Sequence, residues 1–140
     1  ESSSITVIDA WKYLGLGNKN LDFPLAKERF LGNIADHKHK VEVLHETSIT
    51  GLTKLFRDNR VFDFVYIDGS HKTKDVLFDA VFSWEMLKKG GIIIFDDYNW
   101  GGGNPEHMRP KPAIDVFLLA YQDELEILHK GSQIFIRKIV

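Results

Sequence analysis

The chain has 140 residues, 44% hydrophobic and 27% charged, with a formal net charge of −2. That length suits a single domain over residues 1–140, able to bury about 68% of its unfolded surface, and the composition is that of a soluble globular protein. The balanced charge carries no basic footprint for nucleic acid, the absence of cysteine excludes disulfides and thiolate zinc sites, and no apolar run approaches the ~20 residues of a membrane span.

No secretory signal opens the chain, so the cytoplasm is the default location. After a polar start at Glu1–Ser4, Ile5-Thr6-Val7-Ile8 reads as a strand ending at Asp9. An acid at a strand's carboxyl end is either a solvated turn residue or a group that accepts the two hydroxyls of a ribose. Residues 13–22 form a loop. Its Gly15-Leu16-Gly17 lacks both the preceding strand and the third glycine of a phosphate loop, and reads as a turn. Asp22 caps a helix that has Pro24 in its first turn and Ala26, Phe30 and Ile34 on its buried stripe. His37-Lys38-His39-Lys40 is a solvated basic loop, with no acid at ligand spacing.

Val41 to Glu46 is the second strand. Ser48 then caps a helix whose apolar face carries Ile49, Leu52, Leu55 and Phe56. Phe64-Val65-Tyr66-Ile67 and Ile92-Ile93-Ile94-Phe95 are short unbroken apolar runs, as in parallel strands buried on both faces. Between them Val76, Leu77, Ala80, Val81, Trp84 and Leu87 recur at helical spacing, with Asp75, Asp79 and Lys88 on other faces. Lys89-Gly90-Gly91 stops that helix. Strand, helix and strand make a βαβ unit.

The first run ends in Asp68 and the second in Asp96-Asp97. In neighbouring parallel strands ~4.8 Å apart these acids reach the same edge, where ligands bind, close enough to share one hard cation. Without a positive charge among them, they raise one another's pKa. The loop from Asn99 to Pro112 leaves that edge directly. It reads as a mobile substrate lid, with His107 and Arg109 as candidate substrate contacts. Pro112 starts a helix with Ala113, Val116, Phe117, Ala120 and Tyr121 inward. Leu125–Lys130 and Gln133–Lys138 then form a hairpin. The expected strands are 5–9, 41–46, 63–68, 91–96, 125–130 and 133–138.

Ile67-Asp68-Gly69-Ser70-His71, a helix, and then the run from Leu87 to Tyr98 (LKKGGIIIFDDY) resemble the second half of a class I S-adenosylmethionine-dependent methyltransferase. The pattern is similar to bacterial small-molecule O-methyltransferases carrying D-G-x-H and G-G-x-x-x-x-D-D-Y, and the likeness runs from about Ile5 to Ile139. It implies an α/β, Rossmann-like three-layer sandwich with a mostly parallel sheet closed by an antiparallel hairpin. It also implies methyl transfer from S-adenosylmethionine to a hydroxyl oxygen of a small molecule. Among cofactor contacts it places Asp9 at the ribose, Trp11 and Ser48 near the adenine, and Asp68 with Gly69 beside them. For Trp11, packing is the equal alternative.

Metal-dependent members carry acids at Asp68, Asp96 and Asp97, which implies Mg2+ or Mn2+ there. His71 is the candidate base because an imidazole titrates near neutrality; the alternative is a loop histidine capping the next helix. Some relatives have an acid where this chain has Ser70, a departure that bears on the base and on the metal's surroundings.

Nothing matches the glycine-rich turn with which the family opens, so the first strand and helix of the fold are expected to be missing. The chain as given is then expected to bind S-adenosylmethionine at least about tenfold more weakly than a complete protein, because Asp9 alone cannot hold the methionine tail. The partner is a small-molecule acceptor, with no nucleic acid or membrane and with a homo-oligomer left open. A non-catalytic domain or assembly subunit is one alternative. A nicotinamide-dependent oxidoreductase is another, since fold does not fix function.

Overall fold

A computed structural model of the chain describes residues 3–13 and 19–140, so the Gly15–Gly17 turn lies outside the described residues. They cluster into two compact units, Glu1–Gly51 and Leu52–Val140. No helix among the described residues is long and apolar enough to cross a membrane.

In the first unit β1 (Ile5–Ile8) and β2 (Val41–Leu44) pair in parallel, with Ile5 opposite Val41 and Ile8 opposite Leu44. The Asp9 N–H extends this ladder to the Leu44 carbonyl at 3.2 Å, so Asp9 stands at the carboxyl end of β1. Helix α1 (Phe23–Asn33) is capped as expected, the Asp22 carboxylate accepting from the Leu25 N–H at 2.9 Å. Its stripe of Ala26, Phe30 and Ile34 is only half-buried. The basic segment folds as a 3-10 turn, Ala35–Lys40, that leads into β2. Helix α2 (Ser48–Arg57) starts in this unit. Its first amides are served by Thr47, whose Oγ1 lies 3.5 Å from the Thr50 nitrogen, and Ser48 is the first helical residue rather than the cap.

The second unit opens on the end of α2. There Asn59 adopts a left-handed φ of 54° and the Arg60 N–H reaches back to the Leu55 carbonyl at 3.0 Å. Then follow β3 (Phe62–Ile67), α3 (Thr73–Met86), β4 (Leu87–Phe95), α4 (Lys111–Ala120), β5 (Leu125–Lys130) and β6 (Ile134–Lys138). The sheet order is β3-β4-β6-β5, with β3 and β4 parallel and the β5–β6 hairpin antiparallel beside β4. The core gathers Ile67, Trp84, Ile93, Phe95, Phe117 and Ile136 between this sheet and helices α3 and α4.

Four further details, all in the second unit, depart from the sequence reading. Helix α3 ends at Met86, and the buried Leu87 opens β4 opposite Phe62. Lys88–Gly91 then bulges out before Ile92 meets Phe64, with Gly90 at φ 80°. Second, β3 is not buried on both faces: Phe64 and Tyr66 are 53% and 46% exposed, because the core lies on the side of Val65 and Ile67. Third, α4 turns Ala113, Ile114, Phe117 and Leu118 inward and leaves Val116 and Ala120 outside. Fourth, Asp79 is buried rather than on a solvent face.

Candidate active site

The parallel register sets Ile67 opposite Phe95, so Asp68 after β3 and Asp96-Asp97 after β4 emerge at one edge of the sheet. The Asp96 N–H donates to the Ile67 carbonyl at 3.0 Å and fixes that edge. The Asp96 carboxylate is already well supplied. Its Oδ2 accepts from the Tyr66 hydroxyl at 2.5 Å, and its Oδ1 accepts from Gln133 Nε2 at 3.0 Å and from the Asp97 N–H at 2.8 Å. Gln133 also donates to the Tyr66 oxygen at 2.9 Å. The bonds from Tyr66 and Gln133 hold the Asp96 carboxyl below the usual carboxylate range. The bond to Asp96, with burial and the charges of Asp96 and Asp68, pushes the Tyr66 phenol up to about 12.

Asp97 is different. It sits at φ 55°, a conformation that costs a non-glycine residue energy and that clusters at functional sites. Its Oδ2 lies 2.7 Å from His71 Nε2. A carboxylate only accepts, so Nε2 carries a proton, and in the neutral imidazole the lone pair is at Nδ1. Asp68, His71 and Asp97 each offer one ligand atom, all within 4.8 Å of one another. Burial, and then the charges of Asp96 and Asp97, push the Asp68 carboxyl up, while His71 opposes them. These three line a shallow depression with Gly69, Asp96 and Pro110. A carboxylate edge in which one acid is held partly against ionisation by its neighbours has the oxygen donors and the charge deficit that suit a divalent cation. Asp96 stands beside this group with most of its lone pairs taken.

Ser70 turns its hydroxyl to Asp75 Oδ2 at 2.7 Å and accepts from the Lys72 N–H at 3.3 Å. It therefore shapes the loop that presents His71. Sequence reasoning did not find Tyr66, Gln133 or Trp100. The indole of Trp100 stacks on the His71 ring, with centroids 4.2 Å apart and planes at 18°.

The segment read as a mobile lid is hydrogen-bonded near both its ends. The Trp100 N–H donates to the Asp97 carbonyl at 2.8 Å, and Glu106–Met108 forms a 3-10 turn. The Thr73 hydroxyl, on the first turn of α3, reaches the carbonyls of Glu106 and Arg109 at 2.7 and 2.8 Å. His107 is exposed, and Arg109 lies 3.5 Å from Glu106 with its Nε buried and unbonded.

Asp9, Trp11 and Ser48 belong to the first unit. Asp9 Oδ1 accepts from the Trp11 N–H at 2.7 Å. Trp11 has a φ of 41°, and its ring packs against Phe30 and the edge of His45, with Lys27 Nζ 5.4 Å from the ring centre. His45 Nε2–H donates to the Ala10 carbonyl at 3.1 Å, and Nδ1 accepts from Lys27 at 2.7 Å. Trp11 is thus a packing residue within this unit, whatever else it meets.

Residues 1–98 match the family described as a methyltransferase domain, and the chain belongs to that family. With its α/β fold of mixed sheets, this places it among the class I S-adenosylmethionine-dependent methyltransferases. A protein of Arabidopsis thaliana provisionally named a caffeoyl-CoA O-methyltransferase is 32% identical over 78 residues, 51% of this chain. The chain spans about a third (33%) of that relative's length. Among solved structures, the O-methyltransferase TomG of Streptomyces achromogenes, in complex with S-adenosylmethionine, superposes at a TM-score of 0.66. It is 16% identical, with 98% of this chain and 73% of that one covered. MycE of the mycinamycin biosynthetic pathway, in complex with Mg and S-adenosylhomocysteine, superposes at 0.61 with 14% identity, covering 98% and 45%. These two likenesses are of fold.

Proposed function

We propose that the protein transfers a methyl group from S-adenosylmethionine to a hydroxyl oxygen of a small molecule, in the cytoplasm, with His71 as base and a divalent ion at the acidic edge. The observation that carries this reading is the 2.7 Å bond between His71 Nε2–H and Asp97. In the neutral imidazole this leaves the lone pair at Nδ1, on a residue that stands with Asp68 and Asp97.

S-adenosylmethionine supplies an already activated methyl: its carbon–sulfur bond breaks as the carbon–oxygen bond forms, leaving S-adenosylhomocysteine. The acceptor's hydroxyl proton goes to His71 Nδ1, and the Asp97 carboxylate stabilises the imidazolium that results. Asp68 and Asp97, with the remaining lone pair of Asp96, would hold Mg2+ or Mn2+, which supplies Lewis acidity to an acceptor oxygen. Within the first unit Asp9 is assigned the ribose, with Trp11 and Ser48 beside the nucleoside. Asp9's second oxygen has no partner among the described residues and is available for that bond.

The test uses the complete protein, with caffeoyl-CoA, the acceptor in the Arabidopsis relative's name, as first probe. S-adenosylhomocysteine should bind by calorimetry. His71→Ala should lower kcat by ~10²–10⁴-fold without changing that affinity. Excess chelator should reduce turnover. Binding of NADH in place of S-adenosylhomocysteine would make the protein an oxidoreductase, and binding of neither would make it a non-catalytic domain.

A further inference from the structure

We infer that Trp100 is a positioning residue that acts through His71: its indole, with the Asp97 carboxylate, locks the imidazole in the one orientation that leaves Nδ1 free. This rests on the reading of His71 as the base.

A single hydrogen bond at Nε2 does not orient an imidazole. The terminal torsion of histidine is broad and close to two-fold, so the ring can swing about the N···O line or turn over and put its carbons where its nitrogens stood. Asp97 constrains the ring within its plane. The indole of Trp100, parallel to within 18° at 4.2 Å, covers one face and removes the swing. The two constraints are independent in direction, and together they define the ring.

The chain has built this arrangement at a cost. β4 stops at Phe95, Asp97 takes the left-handed conformation, and the Trp100 N–H closes a four-residue turn on the Asp97 carbonyl at 2.8 Å. One turn therefore delivers both the carboxylate and the indole to the same imidazole. Its middle is anchored by Tyr98, which is buried, donates its N–H to the Ser132 carbonyl at 2.9 Å and bonds through its hydroxyl to Asp115 at 2.7 Å. A tryptophan that only filled space would not need a turn anchored at its centre to hold its plane against a histidine.

The experiment compares Trp100→Ala and Trp100→Phe in the complete protein, with and without His71→Ala. Trp100→Ala should lower kcat about tenfold, with KM for caffeoyl-CoA and the S-adenosylhomocysteine affinity within about twofold of wild type. Trp100→Phe, which keeps an aromatic face, should recover most of the loss. In the His71→Ala background Trp100→Ala should cost nothing further, since two residues acting as one unit are not additive. Additive losses, a change in KM alone, or no recovery by phenylalanine would overturn the inference.

If His71→Ala leaves turnover intact, or if wild type does not methylate the probe, the base reading is at fault, and ring geometry decides this one. The His71 ring protons should be shifted upfield by the indole in nuclear magnetic resonance spectra of wild type. They should return to ordinary values in Trp100→Ala. Identical shifts in the two proteins would show that the indole does not hold the ring.

Discussion

Tyr66 and Asp96 share a 2.5 Å hydrogen bond at the carboxyl end of the β3–β4 ladder, and Gln133 closes the triangle from the hairpin. Because the phenol is pushed up to about 12, the fold favours its neutral form. That contribution is complete below the ordinary tyrosine value of ~10 and is lost as pH climbs toward about 12. Asp96 runs the other way. Its carboxyl is lowered, so its contribution is present above the ordinary ~3.9 and is lost as pH falls through the depressed value. Tyr66→Phe should therefore abolish the latest-titrating tyrosine in tyrosinate absorbance and move the acid unfolding midpoint to higher pH. An unchanged acid midpoint would mean that Asp96 draws its stabilisation elsewhere.

Asp68 should trade stability for chemistry. Burial and the neighbouring acids raise its carboxyl, so whatever it contributes in the protonated form is lost as pH rises through the folded value. Above that value its charge opposes folding. Asp68→Asn should raise Tm at pH 7 while eliminating methyl transfer. Mg2+ should raise the Tm of wild type more than that of the variant. A lower Tm for Asp68→Asn would show that the carboxylate has a compensating partner.

Gly51 sets two effects against each other inside the first unit. Replacing a mid-helix glycine by alanine ordinarily gains ~1 kcal/mol of helix propensity. Here a Cβ would stand 2.7 Å from Cγ2 of Ile8, a β-branched side chain in a strand with little room to yield. Overpacking of this kind costs ~1–3 kcal/mol, so Gly51→Ala should be destabilising by denaturant titration. A stabilised variant would show that Ile8 moves aside.

Thr73 reaches the segment after Trp100 through its hydroxyl. Removing a bond of about 1 kcal/mol raises an open population about fivefold. Thr73→Val should therefore increase proteolytic cleavage between residues 101 and 110 by that factor, and Thr73→Ser should not. Equal cleavage in all three proteins would place the restraint in the 3-10 turn instead.

The sequence made the frame legible where local pattern and burial agree. Ile92–Phe95, the hairpin strands and the Asp22 cap are set by neighbours a few residues away, and the apolar runs ending in Asp68 and Asp96 placed those acids at one sheet edge. Boundaries slipped where a tertiary contact overrode a local signal: Leu87 leaves its helix because its side chain is buried next to Phe62's end of β3, ahead of the Gly90-Gly91 stop. The partners of the acids were not legible. Gln133 reaches Asp96 across 37 positions, and His71 meets Asp97 across 26. Tyr66 looked like one more apolar strand residue, yet it is the hydroxyl, on the exposed face, that engages. Trp100 carried one faint sign, its place three residues after Asp97, where a tight turn brings side chains back together.

The left-handed backbone at Asp97 has a genetic corollary. Asparagine and glycine, each one nucleotide from an aspartate codon, settle into that conformation with ease, but neither brings a negative charge. Glutamate brings the charge but meets a penalty of roughly 1–2 kcal/mol in the backbone. Drift at this position is therefore lopsided: the replacements the fold tolerates best are those that leave His71 without a carboxylate partner. A copy that had abandoned its chemistry would keep its turn, its solubility and its shape. Residue 97 would be the place to look for the difference, since a well-folded descendant carrying Asn or Gly there would be a retired enzyme rather than a damaged one.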